Sequence, residues 1–416
     1  MTSSDHLKNI FEQTRDTSYM SMRLRIQPVT TDEKGRKVLS SMLMMPNAME
    51  HRFFFVVEAQ DFQESMANLG APHLISQLMH AMRFGGTLTV ECELDRALVM
   101  NLQDFMRRWL LWYPELFRWV DIVPQGWIDS PRAEKSDAAI ACFSGGVDSF
   151  YSYIKLTEDT NVPLRSLMFL QGFDIDLSMF DFYEQTSLYY QNRFQEEGLR
   201  LLKVLTNAKD SARKFQLNWG KVGHGIYLAA ALHLFAADHT TACIPSSHAP
   251  DSPIYPWGSN PITDPLFSSS DFRFIHHDYT KSRYEKIMAL SQRGDCLDAI
   301  RVCWRITENQ LNCGYCPKCM ATLIALEVAK PESWRSAFPK VDDLNSVWRA
   351  LLKTNLNRFQ IEQLEVARHQ ASLSDRAELA KHIADVIAQK SGHRESWRTR
   401  LKAWFYQLKL KASMRH

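Results

Sequence analysis

The segment that most limits the fold is the run AAIACF, residues 138–143, followed at once by Ser144-Gly145-Gly146-Val147-Asp148-Ser149. Six apolar residues in a row read as a strand buried on both faces, the kind found in parallel sheets. The paired glycines let the backbone turn sharply and approach a ligand with no Cβ in the way. Residues 150–156 then read as the start of a helix. Strand, glycine turn and helix in that order aim successive N–H groups into one concavity, and the helix N-terminus adds partial positive charge, which suits a phosphate. Ser144 and Ser149 supply hydroxyls, and Asp148 offers oxygen to Mg²⁺. The Gly-Lys-Ser/Thr ending of the Walker loop is absent. A plain glycine turn capped by Ser149 is the structural alternative, and the full hexapeptide in this context outweighs it.

Further elements alternate behind this turn. Residues 164–170, 199–205 and 241–245 read as buried strands, and 181–198 and 222–238 as helices. That spacing predicts right-handed βαβ crossovers and an α/β fold with a parallel sheet. Upstream, 22–27, 51–59 and 87–94 read as strands, 73–84 as a short helix, and 105–120 as a helix interrupted near Pro114. Four regions follow: a loose N-terminus at 1–20, an α+β accessory domain at 21–130, a catalytic domain at 137–330, and a helical extension at 331–416. The accessory domain carries no motif assignable to chemistry. The tail from residue 390 to 416 holds eight Lys or Arg against Glu395 alone, and reads as a solvated amphipathic helix.

A formal net charge of +2 is too balanced to argue for nucleic acid or a membrane surface across the whole chain. No apolar run reaches the ~18 residues of a membrane span, and the N-terminus lacks the pattern of a signal peptide. The expected location is the cytoplasm. In a reducing compartment the placement of the eight cysteines matters more than their number. Cys92, Cys142 and Cys243 stand alone in apolar runs and read as core; Cys296 is ambiguous. Cys303 is followed after nine residues by Cys313-Gly314-Tyr315-Cys316-Pro317-Lys318-Cys319. Four thiolates so spaced suit a closed, tetrahedral, structural Zn²⁺. An iron–sulfur cluster takes the same ligands and is the rival reading.

The hexapeptide resembles the signature of the PP-loop ATP pyrophosphatases, within the adenine nucleotide α-hydrolase-like folds. That resemblance implies ATP binding through residues 144–149, with Asp148 and Ser149 in catalytic roles, transfer of AMP to a substrate oxygen, release of pyrophosphate, and displacement of AMP by a nucleophile. Loop and cysteine cluster together resemble the 7-cyano-7-deazaguanine synthases (QueC), in which a similarly spaced cysteine set binds zinc. The resemblance covers residues 137–330. The extra regions on either side make the chain similar to the QatC type of bacterial anti-phage systems, which implies partner proteins from a defence operon. The chain lacks the synthases' Arg-Asn pair before the helix that starts near His224, and their Tyr-Pro-Asp-Cys-Arg stretch, so the ATP chemistry carries over better than the substrate. The implied substrate is a carboxylate on a deazapurine such as 7-carboxy-7-deazaguanine, passed to ammonia or to an amine of another protein. A tRNA-modifying thiolase of the same superfamily and a non-catalytic ATP-binding subunit are the alternatives. A nucleic-acid partner stays open; a membrane is not expected.

Candidate substrate contacts come from position. Loops after the carboxyl ends of parallel strands are where such sheets bind ligands, which selects Ser246, Ser247 and His248. His224 stands at a helix start beside glycines. Trp257, Asn260 and Asp264 suit a flat heterocycle, though turn chemistry explains the Asn and Asp equally. Arg283 and Lys286 can neutralise a phosphate or carboxylate, or simply form a solvated face.

Overall fold

The computed structural model describes residues 20–62, 69–128, 137–159, 161–247, 256–303, 311–356 and 358–392. The chain divides into two compact units, Met1–Ser282 and Arg283–His416.

The first unit is built on one sheet. Its strands are β1 (Ser21–Ile26), β2 (Thr30–Thr31), β3 (Lys37–Met44), β4 (Glu50–Val57), β5 (Gly86–Asp95), β6 (Val120–Ile128), β7 (Ala139–Cys142), β8 (Leu164–Gln171), β9 (Arg200–Thr206), β10 (Thr241–Pro245) and β11 (Arg273–His277). They lie in the order β11-β10-β7-β8-β9-β4-β3-β1-β5-β6, with β2 paired to β3. From β11 to β9 every neighbour is parallel, with helices in the crossovers, as an α/β fold requires. β1, β5 and β6 are also parallel, while β4 joins β9 antiparallel, Val56 opposite Leu205.

That last pairing redraws the expected boundaries. The regions 21–130 and 137–330 are not separate compact units: their strands form one sheet, and a single apolar core runs from Met22 and Leu24 to Ile244 and Phe274. Side chains stitch the halves together. His80 Nε2 on the helix Gly70–Met82 lies 2.7 Å from the Tyr227 hydroxyl on the helix His224–Leu232. Asn101 Nδ2–H donates to Ser268 O at 2.9 Å. The four cysteines and the residues from 283 onward belong to the second unit.

Four strands were not legible as strands, one of them the two-residue β2. β3 places Ser40 and Ser41 at its centre, which interrupts the apolar pattern, yet both are buried. β6 contains Pro124 and Gly126 and lies at the sheet edge, where a missing N–H costs no ladder bond. β11 is a short run carrying two histidines at the opposite edge. The helix expected over 105–120 instead spans Arg96–Trp112. It starts where the Asp95 carboxylate accepts the Leu98 N–H at 2.7 Å, an N-cap, and stops before Pro114. Leu98, Leu102, Phe105, Met106 and Trp109 form its buried face.

The second unit contains the helices Arg283–Ser291, Pro317–Ala329, Leu344–Lys353, Arg358–Leu373 and Ala377–Gly392. Glu327 is a node between them: it accepts from Trp334 Nε1 at 2.9 Å and pairs with Arg376. No helix among the described residues is long and apolar enough to cross a membrane.

Candidate functional site

Strand order fixes where a ligand can sit. The chain leaves β7 for β8 on one side, while β10 lies on the other. The sheet therefore has its topological switch point between β7 and β10, and open α/β sheets bind ligands in the crevice beyond the carboxyl ends at that point. Residues 144–149 follow β7, and Ser246 and Ser247 follow β10.

The glycine turn is braced from within. Gly145 has φ +77°, and Gly146 caps the helix Val147–Glu158. Ser144 N–H donates to Ser149 Oγ at 3.2 Å, and Ser149 Oγ–H donates to Gly146 O at 3.0 Å. Gly146 N–H reaches Ser144 Oγ at 3.3 Å. Ser149 is buried while Ser144 is exposed, and both hydroxyls brace the turn. Across the switch point Ser247 Oγ–H donates to Asp148 Oδ2 at 3.3 Å. His277 on β11 meets Ser152 Oγ of the same helix at 3.0 Å.

A second wall forms at the start of the helix His224–Leu232. The preceding turn, Trp219–Gly223, is π-helical. Gly258 N–H donates to Gly220 O at 3.2 Å, and Trp257 lies edge-on to His224 with ring centroids 5.8 Å apart. The approach is close enough that a Cβ on Gly225 would stand 1.8 Å from Gly258 O. The two segments selected for substrate contact are thus packed against each other. His224 is half-buried, its Nδ1 is 3.1 Å from Trp219 O, and burial lowers its pKa.

The roles expected of Asn260 and Asp264 need correction. Both are buried, and the loop itself uses their polar atoms. Asn260 Nδ2–H donates to Trp257 O and Thr263 Oγ1, each at 2.8 Å, and its Oδ1 accepts from Ile262 and Thr263 N–H. Asp264 accepts from Ser259 Oγ at 2.7 Å and Asn260 N at 3.2 Å. These side chains shape the loop that carries Trp257 and Gly258. Ser246 is likewise buried, with its Oγ 2.8 Å from His276 Nε2. Sequence reasoning missed His276, since nothing local marks a histidine on a short edge strand. His248 lies outside the described residues, as does the tail from 393 onward.

Cys142 and Cys243 are buried in β7 and β10. Burial raises the first thiol well above its ordinary value and the second to about 12, so neither resembles a reactive thiolate.

In the second unit the cysteine cluster converges. The sulfurs of Cys303, Cys313, Cys316 and Cys319 all lie within 4.8 Å of one another. Cys303 and Cys316 are 3.8 Å apart, and Cys313 and Cys319 3.9 Å. A tetrahedron of ~2.3 Å Zn–S bonds has an S···S edge of ~3.8 Å, so the cluster fits a metal such as zinc. The local sequence explains the arrangement. Gly314 takes φ +78°, where a Cβ would also stand 2.4 Å from Val341 Cγ2. Pro317 starts the helix Pro317–Ala329, and Cys316 caps it by accepting the Cys319 N–H at 3.5 Å. Cys316 N–H in turn donates to Cys313 Sγ at 3.2 Å.

Within the cluster the thiols hydrogen-bond one another: a bond from Cys303 lowers Cys316 and one from Cys319 lowers Cys313, while the donors Cys303 and Cys319 rise in exchange. Asn312, which sequence reasoning also missed, ties the ligand segments together. Its Oδ1 accepts from Val302 N at 2.8 Å and Cys303 N at 3.2 Å, and its Nδ2–H donates to Ile300 O and Ala337 O. Lys286 is fully buried in this unit, not on a solvated face, and Arg283 is half-buried.

No protein-family model, curated protein or solved structure matches the chain.

Proposed function

We propose that this chain is an ATP-dependent, AMP- and pyrophosphate-forming enzyme of the PP-loop class that activates a carboxylate. The observation that carries the reading is the position of the Ser144–Ser149 turn. It lies at the switch point of a parallel sheet, with Asp148 touched by Ser247 from the neighbouring strand end. The N-terminus of the helix Val147–Glu158 receives phosphate. Asp148, half-exposed in the helix's first turn, holds Mg²⁺ against it. With the phosphates so fixed, a substrate carboxylate oxygen attacks the α-phosphorus and pyrophosphate leaves; an amine then attacks the acyl carbon, loses a proton and displaces AMP. The protein's work is positioning and charge neutralisation.

The substrate class follows from the resemblance to the 7-cyano-7-deazaguanine synthases. A deazapurine such as 7-carboxy-7-deazaguanine stacks on Trp257 beside His224. The acceptor is ammonia or an amine of a partner protein, in bacterial anti-phage defence and in the cytoplasm. The thiolase alternative requires a reactive cysteine near the loop, and the high pKa values of Cys142 and Cys243 disfavour it. The test is AMP and pyrophosphate release from ATP in the presence of 7-carboxy-7-deazaguanine. A chain that binds ATP yet releases neither supports the non-catalytic subunit instead.

A further inference from the structure

Three buried side chains in the first unit stand in the order serine, histidine, aspartate. His276 Nδ1 is 2.7 Å from Asp264 Oδ2, and His276 Nε2 is 2.8 Å from Ser246 Oγ. Asp264 is already an acceptor from Ser259 Oγ–H and Asn260 N–H. Its carboxylate therefore selects the tautomer with the proton on Nδ1, which leaves Nε2 to accept the Ser246 hydroxyl. The same order serves nucleophilic triads elsewhere. Burial decides against that use here: Ser246 and Asp264 are 0% exposed and His276 5%. A hydroxyl with no open surface has no room for an acyl carbon, but it can hold geometry.

What it holds is visible on both sides. Ser246 directly follows β10, and the next residue, Ser247, reaches Asp148 of the glycine turn. Asp264 anchors the loop that carries Trp257 and Gly258 against Gly220 and His224. One imidazole thus bridges the phosphate wall and the aromatic wall. We propose that His276 is a positioning residue that keeps these two walls in register, with Ser246 and Asp264 as its two arms. This inference rests on the reading of the cleft as a nucleotide site.

The test titrates the full-length chain with Mg²⁺ and a non-hydrolysable ATP analogue, and follows hydrogen exchange over residues 256–267. His276→Ala cuts both arms. His276→Asn places an amide N–H near the Nδ1 position and keeps the Asp264 arm alone. Ser246→Ala removes only the strand arm. The loss of one buried hydrogen bond is expected to weaken the analogue ~3–10-fold. His276→Ala should show that loss together with faster exchange in the loop. His276→Asn should return the loop to wild-type exchange without restoring affinity, and Ser246→Ala should lower affinity with the loop unchanged. Affinity within twofold of wild type in His276→Ala overturns the proposal, as does an Asn variant that fails to restore the loop. Should His276→Ala not fold, Ser246→Ala decides alone by its affinity. A wild-type chain that does not bind the analogue refutes the nucleotide reading itself and this inference with it. Binding lost in Asp148→Ala but intact in the His276 and Ser246 variants refutes only the inference.

Discussion

The Ser247 hydroxyl donates to the Asp148 carboxylate at 3.3 Å, joining the end of β10 to the first turn of the helix after β7. The contact makes two residues far apart in sequence neighbours at the point where the strand order reverses. Asp148→Ala is expected to abolish Mg²⁺-dependent nucleotide binding, since it removes the carboxylate proposed to hold Mg²⁺. Ser247→Ala removes one exposed hydrogen bond and should weaken binding by ~2–5-fold. Calorimetric titration with both variants checks the pair, with thermal melts expected to match wild type. Equal losses in the two would argue against Asp148 as the metal-side group.

The cysteine cluster should contain about one zinc per chain by elemental analysis, because four thiolates close the tetrahedron. Stripping the metal with a chelator, or Cys316→Ser, is expected to lower the thermal midpoint of the Arg283–His416 unit by more than ~5 °C, since metal binding is coupled to folding. Asn312→Ala should lower zinc affinity ~10–100-fold without removing a ligand, the range seen when groups that orient ligands are lost. Purified chain with neither zinc nor iron and an unchanged midpoint contradicts this.

Stability should fall in acid well before ordinary carboxylates titrate. Burial, with Lys214 nearby, lowers His51 to about 4. Burial alone lowers His73 to about 3, and burial with His51 and Lys214 nearby pushes His80 well down. The unfolded chain protonates these imidazoles near ~6.5 and the folded chain does not. Their contribution is therefore complete above ~6.5 and lost as pH falls toward each folded value, at up to ~1.4 kcal/mol per pH unit per histidine. Urea midpoints at pH 7.5, 6 and 5 measure it. A flat profile over that range is the opposing result.

The contact between Gly225 and Gly258 leaves no space for a methyl group, since a Cβ on Gly225 would stand 1.8 Å from a backbone oxygen. Gly225→Ala is expected to cost about 1–3 kcal/mol by urea denaturation, and to loosen the loop carrying Trp257. Gly294→Ala, where no atom lies within 4 Å of the added carbon, is the control and should be near neutral.

Much of the parallel half of the sheet was legible because β7 is fully apolar and β8, β9 and β10 are largely apolar runs, with helices between them. The glycine turn was legible for the same reason, as was the cysteine cluster by spacing alone. What sequence could not show is tertiary. β3 hides behind Ser40 and Ser41, whose burial is made possible by partners such as Gln27, which accepts the Ser40 hydroxyl at 2.6 Å. β11 hides because His276 earns its place through Asp264 and Ser246, 12 and 30 residues away. The accessory domain looked separate because the sequence divides into regions 21–130 and 137–330, while the pairing of β4 with β9 is invisible in local pattern. Deleting residues 21–128 would strip β4 from β9 and His80 from Tyr227. The product is expected to aggregate on size-exclusion chromatography, not to run as a trimmed enzyme.

The most direct test of the account is a turnover measurement. The full-length chain is incubated with Mg²⁺, ATP and 7-carboxy-7-deazaguanine, with ammonia or with co-encoded proteins, beside Asp148→Ala. The account predicts AMP and pyrophosphate in equal amounts from the wild-type chain, and neither from the variant. Release of ADP and phosphate, or equal turnover by wild type and Asp148→Ala, would contradict it.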